Sequence, residues 1–91
     1  MVYEEEIRLH REKIDRLNNE IIEKIAERKK EALLIGEIKK KYDKPIVDTS
    51  REKVILESIR DKAQYYMLDS DALERVFKEI IRLCVEAEEK Q

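Results

Sequence analysis

From about Glu4 to about Tyr42 the chain contains no proline and one interior glycine, Gly36. No other feature narrows the possible folds as much. A glycine inside a helix costs about 1 kcal/mol relative to alanine and need not break it, so the segment is expected to form one continuous helix. Almost 40 residues at a rise of 1.5 Å each make a rod about 60 Å long. The later helices are each about half that length and cannot cover it alone. A helix of this length with an apolar seam calls for a second copy of itself, crossing or antiparallel.

The remainder divides at two breaks. Asp43 and Lys44 precede Pro45, the one proline, and residues before proline are pushed out of the α region. Pro45, Ile46 and Val47 therefore read as extended linker. Thr49 is expected to cap a second helix, with Glu52 completing a capping box. That helix runs to about Tyr66, with Ile55, Ile59, Ala63 and Tyr66 on one stripe. The segment "MLDSDALE" is the second break, and Asp69 or Ser70 is expected to cap a third helix. Its apolar face is expected to hold Leu73, Val76, Phe77, Ile80, Cys84 and Ala87. The fold class is all-α, one long helix and two shorter ones, in a single domain over residues 1–91. With 46% charged and 42% hydrophobic residues, the composition suits apolar helix stripes with solvated outer faces. It argues against a sheet protein. A monomer of 91 residues buries little more than about 60% of its unfolded surface, which makes association helpful.

Charge and cysteine content narrow the function. Twenty basic against 22 acidic residues give a net charge of −2, without the basic surplus that nucleic acid binding requires. A small anionic ligand stays open, because it needs only a few converging cations. Cys84 is the lone cysteine, which excludes an internal disulfide and indicates a reducing compartment. Apolar runs such as "ALLI" are too short to span a bilayer, and "MVYEEEIRLHREK" lacks the apolar core of a secretion signal. The expectation is a soluble cytoplasmic domain without nucleic acid or membrane partners. His10 is the single histidine and falls on a surface stripe. Metal spacings, glycine-rich phosphate loops and nucleophile–base pairs are absent from the sequence. An enzyme built from this chain would work without metal, bound cofactor or covalent chemistry.

The seam of the long helix is unusual. Alternating steps of three and four from Ile7 give Ile7, Arg11, Ile14, Asn18, Ile21, Ile25, Arg28, Ala32, Ile35 and Lys39. Three cations interrupt what should be the most apolar stripe. A lone buried charge costs several kcal/mol, so each needs a partner, a wet pocket, or a side chain that keeps its head in water. Arg28 and Lys39 are separated by almost three whole turns, so they project in nearly the same direction about 16 Å apart and can reach a common small ligand. Arg11 lies about 25 Å before Arg28 along the axis and cannot reach that ligand from the same straight helix. The Arg11 of a symmetry mate could, if the helices run antiparallel. Arginine suits a carboxylate because its planar fork matches two oxygens.

Three other places raise the same choice between structure and ligand. Cys84 and Glu88 stand one turn apart on the third helix; the first reads equally as a small core residue, the second as part of a solvated tail. In "DTSRE", capping explains Thr49 and Glu52, and Asp48 favours the positive end of the helix dipole. Arg51 is left unexplained, since a cation in the first turn opposes the dipole.

The stretch "REKIDRLNNEIIEKIAERKKEALLIGEIKK", followed by "KPIVDTSREKVILESI", resembles the all-helical class of chorismate mutase over about Leu9 to Glu88. The likeness rests on Arg11 in "REKID", Arg28 in "AERK", Lys39 in "GEIKK" and "PIVDTSRE" entering the second helix. It implies an intertwined three-helix homodimer with two active sites, each completed by the partner's arginine at position 11. It also implies the rearrangement of chorismate to prephenate, with no cofactor or metal. By the same resemblance Arg28 and the partner's Arg11 grip the two carboxylates, and Lys39 donates to the ether oxygen. Glu52 and the backbone near Asp48 hold the ring hydroxyl, and Arg51 supports the site. Two positions depart from the commonest pattern: Cys84 stands where many members have Ser, and Glu88 where many have Gln. Two rival readings are a pyruvate lyase acting on isochorismate on a similar helical dimer, and a non-catalytic dimerisation module with structural cations. No separate regulatory segment is apparent, so built-in feedback control is not expected.

Overall fold

The computed structural model describes residues 2–91. Three helices follow one another: α1 (Tyr3–Lys41), α2 (Thr49–Tyr65) and α3 (Ser70–Lys90). The all-α class read from the sequence holds. Glutamates 4, 5 and 6 occupy the first turn of α1 and lysines 39, 40 and 41 its last, both matched to the helix dipole.

The helices end without glycine. Asp43 (φ 55°) and Met67 (φ 58°) take the left-handed conformation. Lys44 N–H then donates to Lys39 O at 2.8 Å and Asp43 N–H to Lys40 O at 3.2 Å. The same pair of bonds closes α2, from Leu68 to Ala63 O and from Met67 to Gln64 O. Both ends are thus Schellman motifs, which satisfy carbonyls the helix itself leaves unpaired.

The start of α2 corrects one expectation. Asp48, not Thr49, is the cap: its carboxylate accepts from Arg51 N–H at 3.0 Å and from Ser50 Oγ at 3.0 Å. Thr49 is already helical. "DTS" offers three capping side chains in a row, and the acid accepts the stronger bond. Of the two candidates for the α3 cap, Asp69 serves, accepting from Ala72 N–H at 2.8 Å, and Ser70 is already helical.

Helices α2 and α3 form an antiparallel hairpin, pinned near its turn by Arg60, which donates to Asp71 at 2.8 Å and Glu74 at 2.9 Å. Helix α3 packs on the C-terminal half of α1 and runs in the same direction, placing Cys84 beside Arg28 and Glu88 beside Gly36. Helix α2 makes no close backbone contact with α1, so a cleft opens between them. The small core contains Ala32, Ile59, Ala63, Ile81 and Cys84. On α3 the buried line is therefore Ile81, Cys84 and Glu88, turned from the expected one. Val76 is exposed and Leu73, Phe77 and Ile80 are half-buried, beside an apolar trough that also takes in Leu17, Ile21 and Ile25 of α1. Tyr66 is likewise exposed, because it closes α2 rather than lying on its inner stripe.

The first half of α1 is almost wholly exposed. Residues 8–24 are all exposed, Ile14, Leu17, Ile21 and Ile22 among them. The chain measures 62 × 27 × 15 Å with a radius of gyration of 17.2 Å, against about 12 Å for a compact domain of this length. Among the described residues, no helix is long and apolar enough to cross a membrane.

Candidate active site

A cleft of about 260 Å³ lies where the C-terminal half of α1, the entry of α2 and the end of α3 meet. Each element contributes for a local reason. Arg28 and Lys39 project from α1 on one face. Pro45 and the Schellman turn before it bring Asp48, Arg51 and Glu52 round to the opposite wall. One turn of α3 separates Cys84 from Glu88. All seven of these residues line the cleft. Arg11 does not; it stands exposed on the projecting half of α1. Ile35, Ile46, Ile55, Ile81 and Val85 complete the walls with apolar surface. No motif marks them in the sequence, although Ile81 and Val85 follow from Cys84 and Glu88 by helical spacing.

Two of the cations are held by groups other than acids. Arg28 Nη1 donates to Cys84 Sγ at 3.0 Å. Lys39 Nζ donates to the Ile46 carbonyl at 2.6 Å, and its own backbone carbonyl accepts from Lys44 N–H, so the turn fixes Lys39 at both ends. Among the described residues neither they nor Arg51 forms an ion pair. Cations gathered in a half-enclosed cleft and not committed to ion pairs are free to meet an anion.

Glu88 is the exception in charge and in burial. It is only 7% exposed, and its Oε2 is buried with no hydrogen-bond partner. Burial pushes its carboxyl above the ordinary Glu range; Lys39 and then Arg28 pull the other way, and Glu89 adds a smaller upward push. A protonated carboxyl is a donor, whereas an ionised one only accepts. Asp48 behaves oppositely: the Arg51 N–H, then the Ser50 hydroxyl, hold it below the ordinary Asp range. One wall of the cleft thus carries a carboxylate held below its ordinary range and another a carboxyl held above it. With Lys39 and Arg28, the set can bind a small dianion and donate hydrogen bonds to an oxygen between Lys39 and Glu88.

Comparison with known proteins gives a consistent answer. The pattern of the family described as chorismate mutase type II is matched over residues 10–89. A bifunctional chorismate mutase/prephenate dehydratase of Aquifex aeolicus (strain VF5) is 39% identical over 89 residues, covering 94% of this chain and 25% of that protein. The corresponding bifunctional protein of Buchnera aphidicola subsp. Schizaphis graminum (strain Sg) is 34% identical over 80 residues, 88% of this chain and 21% of its own. A chorismate mutase of Methanocaldococcus jannaschii is 37% identical over 71 residues, which are 78% of this chain and 72% of that protein. The chain therefore spans about a quarter of the length of the bifunctional relatives and most of the single-function one.

Proposed function

This chain belongs to the chorismate mutase type II family, and from that premise we propose that its cleft converts chorismate to prephenate on the route to phenylalanine and tyrosine. The observation that carries the reading is the convergence of Arg28, Lys39 and Arg51, none of them ion-paired, around a buried carboxyl without a partner. That arrangement suits a reaction that needs no nucleophile. In the rearrangement a C–O bond breaks as a C–C bond forms within one molecule. Catalysis consists of holding the compact conformer and stabilising charge on the departing ether oxygen.

Each side chain then has a role. Arg28, fixed by Cys84, grips one carboxylate. Lys39 keeps one N–H on Ile46 and has two more, one of which donates to the ether oxygen as the bond breaks. Glu88 in its protonated form donates to the same oxygen. Glu52 and the backbone at Asp48 take the ring hydroxyl, and Arg51 adds positive potential. Cys84 lines the ligand's pocket chiefly as the support of Arg28.

The second carboxylate is gripped by Arg11 of a partner copy in an intertwined homodimer. Support for the dimer comes from surface. At 7,797 Å² the chain exposes roughly 2,200 Å² more than the ~5,600 Å² expected for a compact monomer of its mass. That excess is in the range of an obligate interface, and an apolar trough between the middle of α1 and the start of α3 offers a place for it. We place the domain, residues 1–91, in the cytoplasm, where its single free thiol stays reduced.

The test is loss of chorismate absorbance on adding purified protein, with product identified as prephenate or pyruvate and Arg28→Ala as control. Prephenate formation abolished in the control supports the assignment. Pyruvate release would make the domain a lyase, and no turnover with no binding would make it a dimerisation module.

A further inference from the structure

Gly36 is the chain's only glycine, and it is buried in the interior of α1, where glycine is a poor helix former. Its backbone is not in the left-handed region, so conformational freedom does not account for it. Space does. A Cβ at position 36 would lie 2.7 Å from Nε2 of Gln91, 3.2 Å from Cγ of Glu88 and 3.4 Å from Cβ of Glu88.

We infer that Gly36 is a positioning residue for Glu88: the missing side chain lets α3 lie close enough to α1 for the Glu88 carboxyl to enter the cleft. This deepens the chorismate mutase reading and rests on it for the role of Glu88. The two neighbours respond differently to an added methyl. Gln91 is the free end of a flexible side chain; it swings away and gives up its 3.0 Å bond to the Leu33 carbonyl. Glu88 is packed, so its Cγ moves by a few tenths of an ångström and the carboxyl beyond it moves at least as far. Preorganised sites tolerate only about 0.5 Å of such error.

The displacement also changes the carboxyl's surroundings. Lys39 and Arg28 face it from α1 and favour ionisation, while Glu89 on its own helix opposes it. Asp48, Arg51 and Glu52 line the same cleft from α2. Burial is the largest influence on its proton, so a shift into the open cleft admits water and returns the carboxyl toward ordinary Glu behaviour.

The experiment compares wild type, Gly36→Ala, Gln91→Ala and Glu88→Gln. The Glu88 carboxyl is titrated by carbon-13 NMR, its resonance identified by its loss in Glu88→Gln. Gly36→Ala is expected to retain its helical circular dichroism, to lower the Glu88 titration midpoint and to lose about tenfold in kcat/KM, with the alkaline limb of the pH profile moved in the same direction. Gln91→Ala breaks the Leu33 bond without adding a Cβ and is expected to stay within about twofold of wild type. An unmoved Glu88 midpoint in Gly36→Ala overturns the inference. So does a Gln91→Ala variant that reproduces the losses, or a Gly36→Ala chain that no longer folds, either of which makes the contact purely structural. If wild type turns over no chorismate, the enzymatic reading fails, while the titration still decides whether Gly36 positions Glu88.

Discussion

The Arg28 guanidinium donates to the Cys84 sulfur across 3.0 Å, joining the α1 wall of the cleft to α3 through a cation and a thiol. Sulfur is a weak acceptor, so the bond orients Arg28 without competing strongly for it when a carboxylate arrives. Cys84→Ser preserves an acceptor at this place and should keep kcat/KM within about threefold of wild type. Cys84→Ala leaves Arg28 untethered, and the loss of about 1 kcal/mol should appear as roughly a fivefold rise in KM with little change in kcat. Steady-state kinetics on the two variants checks both.

Removal of Arg28 itself should be far more severe. A charged group that meets a desolvated carboxylate is worth about 2–5 kcal/mol by truncation, so Arg28→Ala should lose at least about 30-fold in kcat/KM. Its melting temperature should stay near wild type or rise, because among the described residues no acid forms an ion pair with it. Lys39→Ala should lower kcat rather than binding, by about 10²–10³-fold, the range for deleting a donor aimed at developing charge.

Glu88 makes activity and stability depend on pH in the same direction. Burial raises its folded-state pKa above the unfolded value. The stabilisation from its bound proton is therefore complete below the unfolded pKa and is lost as pH rises through the folded one. On the proposed mechanism the same deprotonation would remove a donor from the ether oxygen, so kcat/KM should decline as pH rises. Glu88→Gln should flatten that decline and raise the melting temperature at pH 7–8, with little effect near pH 4. Identical pH profiles for the two proteins would contradict a protonated working form.

Shared sites can be counted by mixing. Arg11→Ala and Arg28→Ala should each be nearly inactive alone. Co-refolded in equal amounts, half of the dimers should be mixed, and each mixed dimer should carry one intact site, restoring about a quarter of wild-type activity. An Arg11→Ala variant that keeps wild-type activity would place Arg11 outside the site, and two inactive variants that fail to complement would rule out its donation by the partner.

The long helix, the break at Pro45 and the Asp69 cap were legible because periodicity, proline and capping chemistry act locally. The two stops were legible to within a residue, but their Schellman geometry was not, since Met67 disfavours the left-handed conformation it adopts and Lys44 and Leu68 supply the deciding bonds only after the turn is made. Within the cleft, the alignment of Arg28 and Lys39 followed from helical spacing alone. The partner of Lys39 did not, because the Ile46 carbonyl is backbone and leaves no mark in the sequence. Glu88 was legible only through the family resemblance: "VEAEEKQ" by itself looks solvated, and the approach of α3 over Gly36 is what buries one of its acids. The inner face of α3 was misplaced for a related reason. Its most apolar stripe points at the trough beside α1, and the line through Ile81, Cys84 and Glu88 turns inward instead.

The unpacked first half of α1 has a consequence for how the molecule behaves when scarce. About 20 residues of helix with no neighbour are marginally stable in water, so in an isolated chain amides before about Lys24 should exchange with solvent rapidly, and those around Ala32 and Gly36 slowly. If a second copy covers that half at high concentration, dilution should remove protection from one end of a single helix only. In the proposed dimer, order there would belong to the population of chains rather than to any one of them, and the amount of protein synthesised would become a determinant of how much of each molecule is folded.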